Sequence, residues 1–140
     1  MTSHPSALMP LAAALLLGAC AGAPRAGPTP SRSDNAKLAE SISAAASQVK
    51  RCYRAPRVAS AGRQIVTRLL VRFAPDGSLV GMPELVSQRG ITPASAPYAA
   101  RMAEAARLAV LRCAPLRLPP ESYSRGWSEF ELTFSPRGFA

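Results

Sequence analysis

Few residues in this 140-residue chain could do covalent or metal chemistry, and the main ones are the cysteines Cys20, Cys52 and Cys113. The single histidine, His4, lies in an N-terminal segment that we predict is removed. A mature chain without histidine has no Ser-His-Asp triad, no Cys-His pair and no histidine-ligated metal. Three cysteines are too few for a zinc site made of four thiolates. We therefore predict no catalytic residue, no cofactor and no bound metal.

The N-terminal segment has the features of an export signal. Residues 8–17 form an apolar run of about ten, the length of a signal-peptide core, whereas a membrane-spanning helix needs about 20. The following Leu17, Gly18, Ala19 and Cys20 resemble a bacterial lipobox, in which small residues precede the cysteine that becomes the lipidated N-terminus. Residues 1–10 depart from the usual pattern because they carry no Lys or Arg. An ordinary cleavable signal and a buried apolar helix with an incidental cysteine are the alternatives.

On the lipobox interpretation, residues 1–19 are a signal peptide and Cys20 is the lipidation site. The protein would then be anchored in the cell envelope by this lipid, facing the periplasm. Ala21 follows the cysteine where an Asp would signal retention, and by resemblance to lipoprotein sorting this favours the outer over the inner membrane. Residues 20–33 are rich in Ala, Gly, Pro, Ser and Thr, which is typical of a flexible tether with a mean reach of about 20 Å.

Lipidation of Cys20 would leave Cys52 and Cys113 as a pair. An exported compartment permits disulfides, and this bond would close a loop of about 60 residues, worth about 4 kcal/mol in the chain-entropy model. The alternative is two unpaired buried thiols that act as small hydrophobic groups. We predict the disulfide.

The mature chain begins with a helical pattern. Asp34 or Asn35 is a suitable cap for a helix that starts at Ala36, and Pro56 ends the pattern. Apolar residues recur at helical spacing through Leu38, Ile42, Ala45, Val49 and Cys52.

Two strands and a tight turn follow the helix. Residues 64–74 alternate, with Ile65, Leu69, Val71 and Phe73 on one face. Residues 75–78 (Pro-Asp-Gly-Ser) predict the turn, and residues 79–87 predict a second strand running back. Pro83 within that strand removes a backbone donor, which indicates a sheet edge or a bulge.

The second half supplies another helix and a last strand. Ser95 is a candidate cap, Pro97 fits the first turn, and the apolar stripe continues to Cys113. Residues 115–127 form an irregular connection with three prolines, and residues 128–135 alternate as a strand. The order α-β-β-α-β over residues 34–140 predicts an α+β fold, in which two helices pack on one face of a small three-stranded antiparallel sheet.

This order resembles the C-terminal domain of TolA and, more distantly, that of TonB, over about residues 38–136. The segments that carry the resemblance are residues 73–79 at the hairpin, 111–113 at the helix end, 115–119 in the connection with Tyr123 and Trp127 after it, and 130–134 in the last strand. The resemblance implies a non-enzymatic domain that works by contact with other proteins. TolA and TonB have an N-terminal membrane helix and a long spanning segment, which the lipid and short tether replace here. What carries over is the binding module.

A domain of this kind offers strand edges to its partners. Our first choice of edge is the last strand, through Glu129, Phe130, Glu131, Leu132, Thr133 and Phe134, and the 79–87 strand is the second. The partner would be an envelope protein, either a Tol- or TonB-type component or an outer-membrane receptor. The alternative is that the edge has no partner and is merely blunted by Pro83 and by charges.

The charge balance is strongly basic, with a net charge of +9 and fifteen arginines. Four arginines lie close together in sequence and could form a basic patch: Arg51, Arg54, Arg57 and Arg63. The alternative is that they belong to a solvated arginine-rich surface without a ligand. Arginines are otherwise scattered and lack interleaved aromatic residues, so we predict no nucleic-acid binding. The alternative function is an envelope-stabilising lipoprotein that binds anionic lipid or glycan through this surface.

One group of residues invites comparison with a sugar site. Glu121 lies near Tyr123 and Trp127, but a glycosidase usually needs two opposed carboxylates, and the sequence identifies no second one. We therefore interpret the two aromatic residues as core residues of the 115–127 connection.

Overall fold

The structure, a computed structural model, describes Gly27 and residues 29–139. Cys20 and the predicted signal peptide lie outside the described residues. The elements in chain order are α1 (Arg32–Cys52), a 3-10 helix (Ser60–Gln64), β1 (Val66–Arg72), β2 (Glu84–Arg89), α2 (Ala96–Cys113), a second 3-10 helix (Pro120–Arg125), β3 (Glu129–Ser135) and β4 (Gly138–Phe139). The predicted α+β class and the order α-β-β-α-β are confirmed. The short 3-10 helices and the two-residue β4 are additions.

The strands form one antiparallel sheet in the order β2-β1-β3-β4. The predicted second strand is shorter than expected, because β2 begins at Glu84 and the stretch before it makes only an isolated bridge between Phe73 and Leu79. Pro83 immediately precedes β2, and the β1–β2 register shifts between Arg68 and Leu69. The expected edge is confirmed, since β2 is a terminal strand of the sheet, but Pro83 lies just outside β2 and the register shift falls opposite residues 85–87 rather than at Pro83.

The core lies between the helices and one face of the sheet. The inward-facing residues of β3 are Phe130, Leu132 and Phe134, as the alternation predicts. The cluster is completed by residues from both helices, β1 and the connection after α2: Ala45, Val49, Tyr53, Leu69, Val71, Phe73, Ala106, Ala109, Val110, Leu116 and Trp127.

The first helix starts earlier than the sequence analysis predicts. Its N-cap is Ser31, whose hydroxyl accepts a hydrogen bond from the Asp34 backbone N–H at 3.2 Å and donates one to the Asp34 carboxylate at 2.8 Å. Ser31 is therefore the N-cap, and Asp34 is its acidic partner in the first turn rather than the cap. The hydrogen bond from Ser31 lowers the pKa of the Asp34 carboxyl. The second helix begins after Ser95 with Pro97 in its first turn, as expected, but the Ser95 side chain caps the preceding loop instead, donating to the carbonyl of Gly90.

The two helices are joined at their C-terminal ends. The predicted disulfide between Cys52 and Cys113 is present, with the Cα atoms 5.7 Å apart. Next to it, the Gln48 side-chain amide both donates to and accepts from the backbone of Arg117, each at 2.8 Å. The segment after α2 is therefore held against α1.

The aromatic residues of the connection belong to the core, as expected. Trp127 is fully buried and its indole N–H donates to the Pro119 carbonyl at 3.0 Å. The Tyr123 hydroxyl donates to the Phe73 carbonyl at 3.0 Å, and the Tyr123 ring contacts Trp127 edge-on. The Tyr123 hydrogen bond fastens the connection to the end of β1, and the Trp127 hydrogen bond closes the connection on itself.

Tyr53 carries a buried hydroxyl with no hydrogen-bond partner among the described residues. Burial raises the pKa of Tyr53 to about 12, above its usual value of 10.0. Removing an unsatisfied buried hydroxyl removes its desolvation penalty, so Tyr53→Phe is expected to raise the free energy of unfolding by about 1 kcal/mol at neutral pH. Urea unfolding followed by circular dichroism measures this.

The same group predicts a dependence on alkaline pH. Between pH 10 and about 12 the unfolded state loses the Tyr53 proton while the folded state keeps it, so stability falls as pH rises through this window. Tyr53→Phe should abolish that component. The matched control is Tyr123→Phe, which deletes a satisfied hydroxyl and should cost about 1 kcal/mol. A loss of stability in Tyr53→Phe equal to that of the control would contradict the prediction.

Candidate functional site: an open strand edge and an arginine groove

The predicted partner edge, β3, lies between β1 and the short β4. The Phe73 N–H donates to the Ser128 carbonyl at 2.8 Å, and hydrogen bonding alternates along an antiparallel pair. The backbone groups of Glu129, Glu131 and Thr133 therefore point away from β1. β4 pairs only with the last two residues of β3, through Phe134 with Phe139 and Ser135 with Gly138. Within the part of the chain that the structure describes, the stretch 129–133 is an open edge.

The six predicted edge residues fall into two groups, those with buried side chains and those with groups at the open edge. Phe130, Leu132 and Phe134 have side chains in the core, and the Phe134 end is covered by β4. The residues that present groups at the open edge are Glu129, Glu131 and Thr133. The alternation of apolar and polar residues correctly predicted that the three apolar side chains point into the core. That β4 shortens the open edge is seen only from the order of the strands in the sheet.

The outer face of the sheet carries a row of ion pairs. The Arg68 guanidinium contacts Glu131 at 3.2 Å, and Arg72 contacts both Glu129 and, at 3.5 Å, Glu84. The hydrogen bond to Glu129 raises the pKa of Arg72. Exposed pairs of this kind add little stability. Their effect is to neutralise the two glutamates of β3, so that the edge presents main-chain groups rather than net charge.

The second candidate edge, around β2, is apolar but irregular. Several of its side chains are exposed, including Met82, which is 64% exposed, with Val80, Leu85 and Val86. Residues 79–83 are outside the strand, and the register shift interrupts β2 itself. Bulges and irregular ends blunt an edge as a template for pairing. β3 is the better template because its six pairs with β1 run without interruption.

The predicted basic patch is only partly brought together. All four of its members, Arg51, Arg54, Arg57 and Arg63, are exposed. Arg57 and Arg63 line one open groove of about 610 Å³, and Arg51 and Arg54 do not line it. The groove's third arginine is Arg137, which lies in the turn between β3 and β4. Sequence reasoning missed Arg137, since nothing near it in the chain indicates that the turn folds back beside residues 56–63.

Two other cavities accompany the groove. One of about 550 Å³ lies beside Cys113 and the 75–76 turn. The other, of about 350 Å³, lies between α1 and the second 3-10 helix, where Glu121 and Glu40 share the lining with Lys37 and Arg125. Glu40 is thus a neighbour of Glu121 that the sequence did not indicate. The two cations make this cavity balanced in charge rather than acidic.

Comparison of the chain with models of protein families, with curated proteins and with solved structures finds no match. Among the described residues, no helix has the length and apolar character needed to cross a membrane. The same residues contain no group of three His, Cys, Asp or Glu side chains placed to hold a metal ion. The candidate site is therefore defined by its geometry alone: an open strand edge and an arginine groove.

Proposed function

We propose that this protein is a lipid-anchored, periplasm-facing envelope protein whose TolA/TonB-like domain binds another envelope protein and catalyses no reaction. The partner, a Tol- or TonB-type component or an outer-membrane receptor, adds a strand to the edge of β3. The observation that carries the proposal is the open main-chain edge over residues 129–133 on an uninterrupted strand. Main-chain hydrogen bonds supply affinity in this mode of recognition, and alternate side chains supply selectivity.

The edge is held in place before any partner arrives. β3 pairs with β1 over six residues, and its inward side chains Phe130, Leu132 and Phe134 are fixed in the core. A partner strand therefore meets a template that is already ordered, and only the partner loses conformational freedom on binding.

The position of the edge suits a tethered domain. Arg125, four residues before β3, forms an ion pair with Asp34 at 3.4 Å, which places the end of the second 3-10 helix beside the start of α1. The predicted tether, residues 20–33, enters the domain at that same end, since its last three residues form the N-cap and the first turn of α1. A lipid on Cys20 would then hold the open edge near the membrane, where envelope partners are concentrated.

Proline substitution tests the edge directly. Glu131→Pro removes a backbone donor that points away from β1, so it spares the β1–β3 ladder and blocks an added strand. We expect capture of the partner, measured by crosslinked pull-down from intact envelope with the tagged full-length protein, to fall about tenfold or more. The matched control, Glu131→Gln, loses the charge but keeps the N–H and should capture normally.

The outcome separates binding from folding. Circular dichroism and urea unfolding establish whether each variant is folded, and Thr133→Pro, on the same side of the strand, replaces Glu131→Pro if that variant is not. Loss of one discrete envelope protein from the proline variant, with retention by the glutamine variant, supports the proposal. Equal capture by a folded proline variant would show that the β3 edge is not the binding surface.

A further inference from the structure

Three arginines from separate parts of the chain meet at one groove. Arg57 follows α1, Arg63 lies in the 3-10 helix Ser60–Gln64, and Arg137 lies in the β3–β4 turn. The lining contains no acidic residue, and it is completed by Pro56, Val58 and Pro136. The described lining of the groove therefore consists of three cationic and three apolar residues.

Among the described residues, no ion pair balances the charge of the groove. The ion pairs found among the described residues involve Arg68, Arg72 and Arg125, and none of the three groove arginines. Three guanidinium groups around one opening repel one another, so an anion that enters relieves this repulsion and gains attraction from each.

The walls of the groove are held by nearby packing. Pro56 follows the disulfide-bonded Cys52 by four residues, and two prolines in the lining restrict the backbone. Gly62, beside Arg63, is buried so closely that a Cβ atom there would lie 2.8 Å from the Val58 Cβ. The arginines thus project from a scaffold that does not need to form on binding.

The chemistry of these side chains selects the ligand. Guanidinium groups form paired hydrogen bonds with phosphate oxygens, and three of them suit a phosphate group better than a single carboxylate. None of the described residues that line the groove is aromatic, so these residues give a nucleic-acid base nothing to stack on. The half-buried Pro56, Val58 and Pro136 offer apolar contact beside the phosphate.

We propose that this groove binds the phosphate headgroup of an anionic phospholipid. The groove is open to solvent and larger than a phosphate ion requires, and its apolar lining residues suit the glycerol and first acyl carbons of a lipid. This site is separate from the open edge of β3 and does not rest on the strand-pairing function.

The groove and the predicted tether lie at opposite ends of α1. The 21 residues of α1 span about 30 Å, with the predicted tether at the Ser31 end and the groove beyond the Cys52 end. If Cys20 is lipidated, the lipid holds one end of α1 at the membrane and the groove holds the other end. The helix then lies along the membrane surface. A lipid chain combined with a basic patch is the pairing of signals that makes membrane attachment stable.

Vesicle binding tests the site. The full chain carrying Cys20→Ser, which cannot be lipidated, is sedimented with phosphatidylcholine vesicles and with vesicles of equal parts phosphatidylcholine and phosphatidylglycerol. The ratio of the two affinities removes the contribution of the apolar leader. We expect each arginine to contribute about fivefold to the preference for phosphatidylglycerol vesicles. The triple variant Arg57→Gln, Arg63→Gln, Arg137→Gln should therefore lower this preference about 100-fold.

The control has the same change in net charge at other sites. Arg32→Gln, Arg112→Gln and Arg117→Gln remove three exposed arginines that do not line the groove, and should reduce the preference only a few-fold. An equal loss in both triple variants would overturn the proposal in favour of diffuse charge attraction. Displacement from the vesicles by millimolar inorganic phosphate, or by polyglutamate, would overturn it in favour of a free-phosphate or acidic-protein site. Resistance to both, with a loss confined to the groove variant, supports it.

Discussion

Removal of the Cys52–Cys113 disulfide should lower the free energy of unfolding by about 4 kcal/mol. The bond joins residues 61 apart and closes a loop that contains β1, β2 and all of α2. Without it, the unfolded chain regains the conformational freedom of that loop. Small domains have unfolding free energies of only about 5–15 kcal/mol, so the loss is a large fraction of the total.

Urea unfolding of the full chain with and without reductant measures this effect. The double variant Cys52→Ala, Cys113→Ala should unfold at the midpoint of the reduced protein, and reductant should have no effect on it. An unchanged midpoint after complete reduction, verified by thiol alkylation and mass spectrometry, would contradict the prediction. Alkylation of both thiols in protein isolated without reductant would show that the bond does not form.

The second large effect concerns Gly77 in the β1 hairpin. Its φ of 81° lies in the left-handed region, and a Cβ atom there would lie 1.8 Å from the Leu116 carbonyl oxygen. The Leu116 N–H also donates to the Gly77 carbonyl at 2.8 Å, so the two backbones cannot separate without losing a hydrogen bond. Gly77→Ala therefore combines backbone strain with a clash and should cost about 3 kcal/mol or more.

Gly81 provides the matched control for this substitution. Its φ of 72° is similar, but a Cβ atom there would have no neighbour within 4 Å. Gly81→Ala should therefore cost about 1 kcal/mol, from backbone strain alone. The difference between the two variants in urea unfolding isolates the contact with Leu116. Equal costs would show that the hairpin does not rest on the segment after α2.

The conformation of the turn around Gly77 could be predicted from the sequence, but its long-range contact could not. The Pro-Asp-Gly-Ser turn was predictable, because Gly77 supplies a positive φ and Asp76 accepts hydrogen bonds from the Ser78 backbone and hydroxyl. Those hydrogen bonds lower the pKa of the Asp76 carboxyl. The contact of Gly77 with Leu116 was not predictable, since it joins residues that no local pattern relates.

The boundaries of the two helices were predicted only in part. The apolar stripes of α1 and α2 were predictable from spacing, and so was their end near the two cysteines. The start of α1 after Ser31 was missed because the composition of the segment before Asp34 is that of a tether, although Ser31 is a favoured N-cap residue with an acidic residue three positions later. In that case the signal was present in the sequence.

What the sequence alone determined is the order of the elements, the buried face of each, the disulfide partners left once Cys20 is set aside, and the class of fold. Each follows from local periodicity or from counting. The tertiary structure alone decided that β4 covers the end of the β3 edge and that Arg137 joins Arg57 and Arg63. The reason is physical: side-chain periodicity tells which face of a strand is buried, but its neighbours depend on long-range pairing that only the closed chain creates.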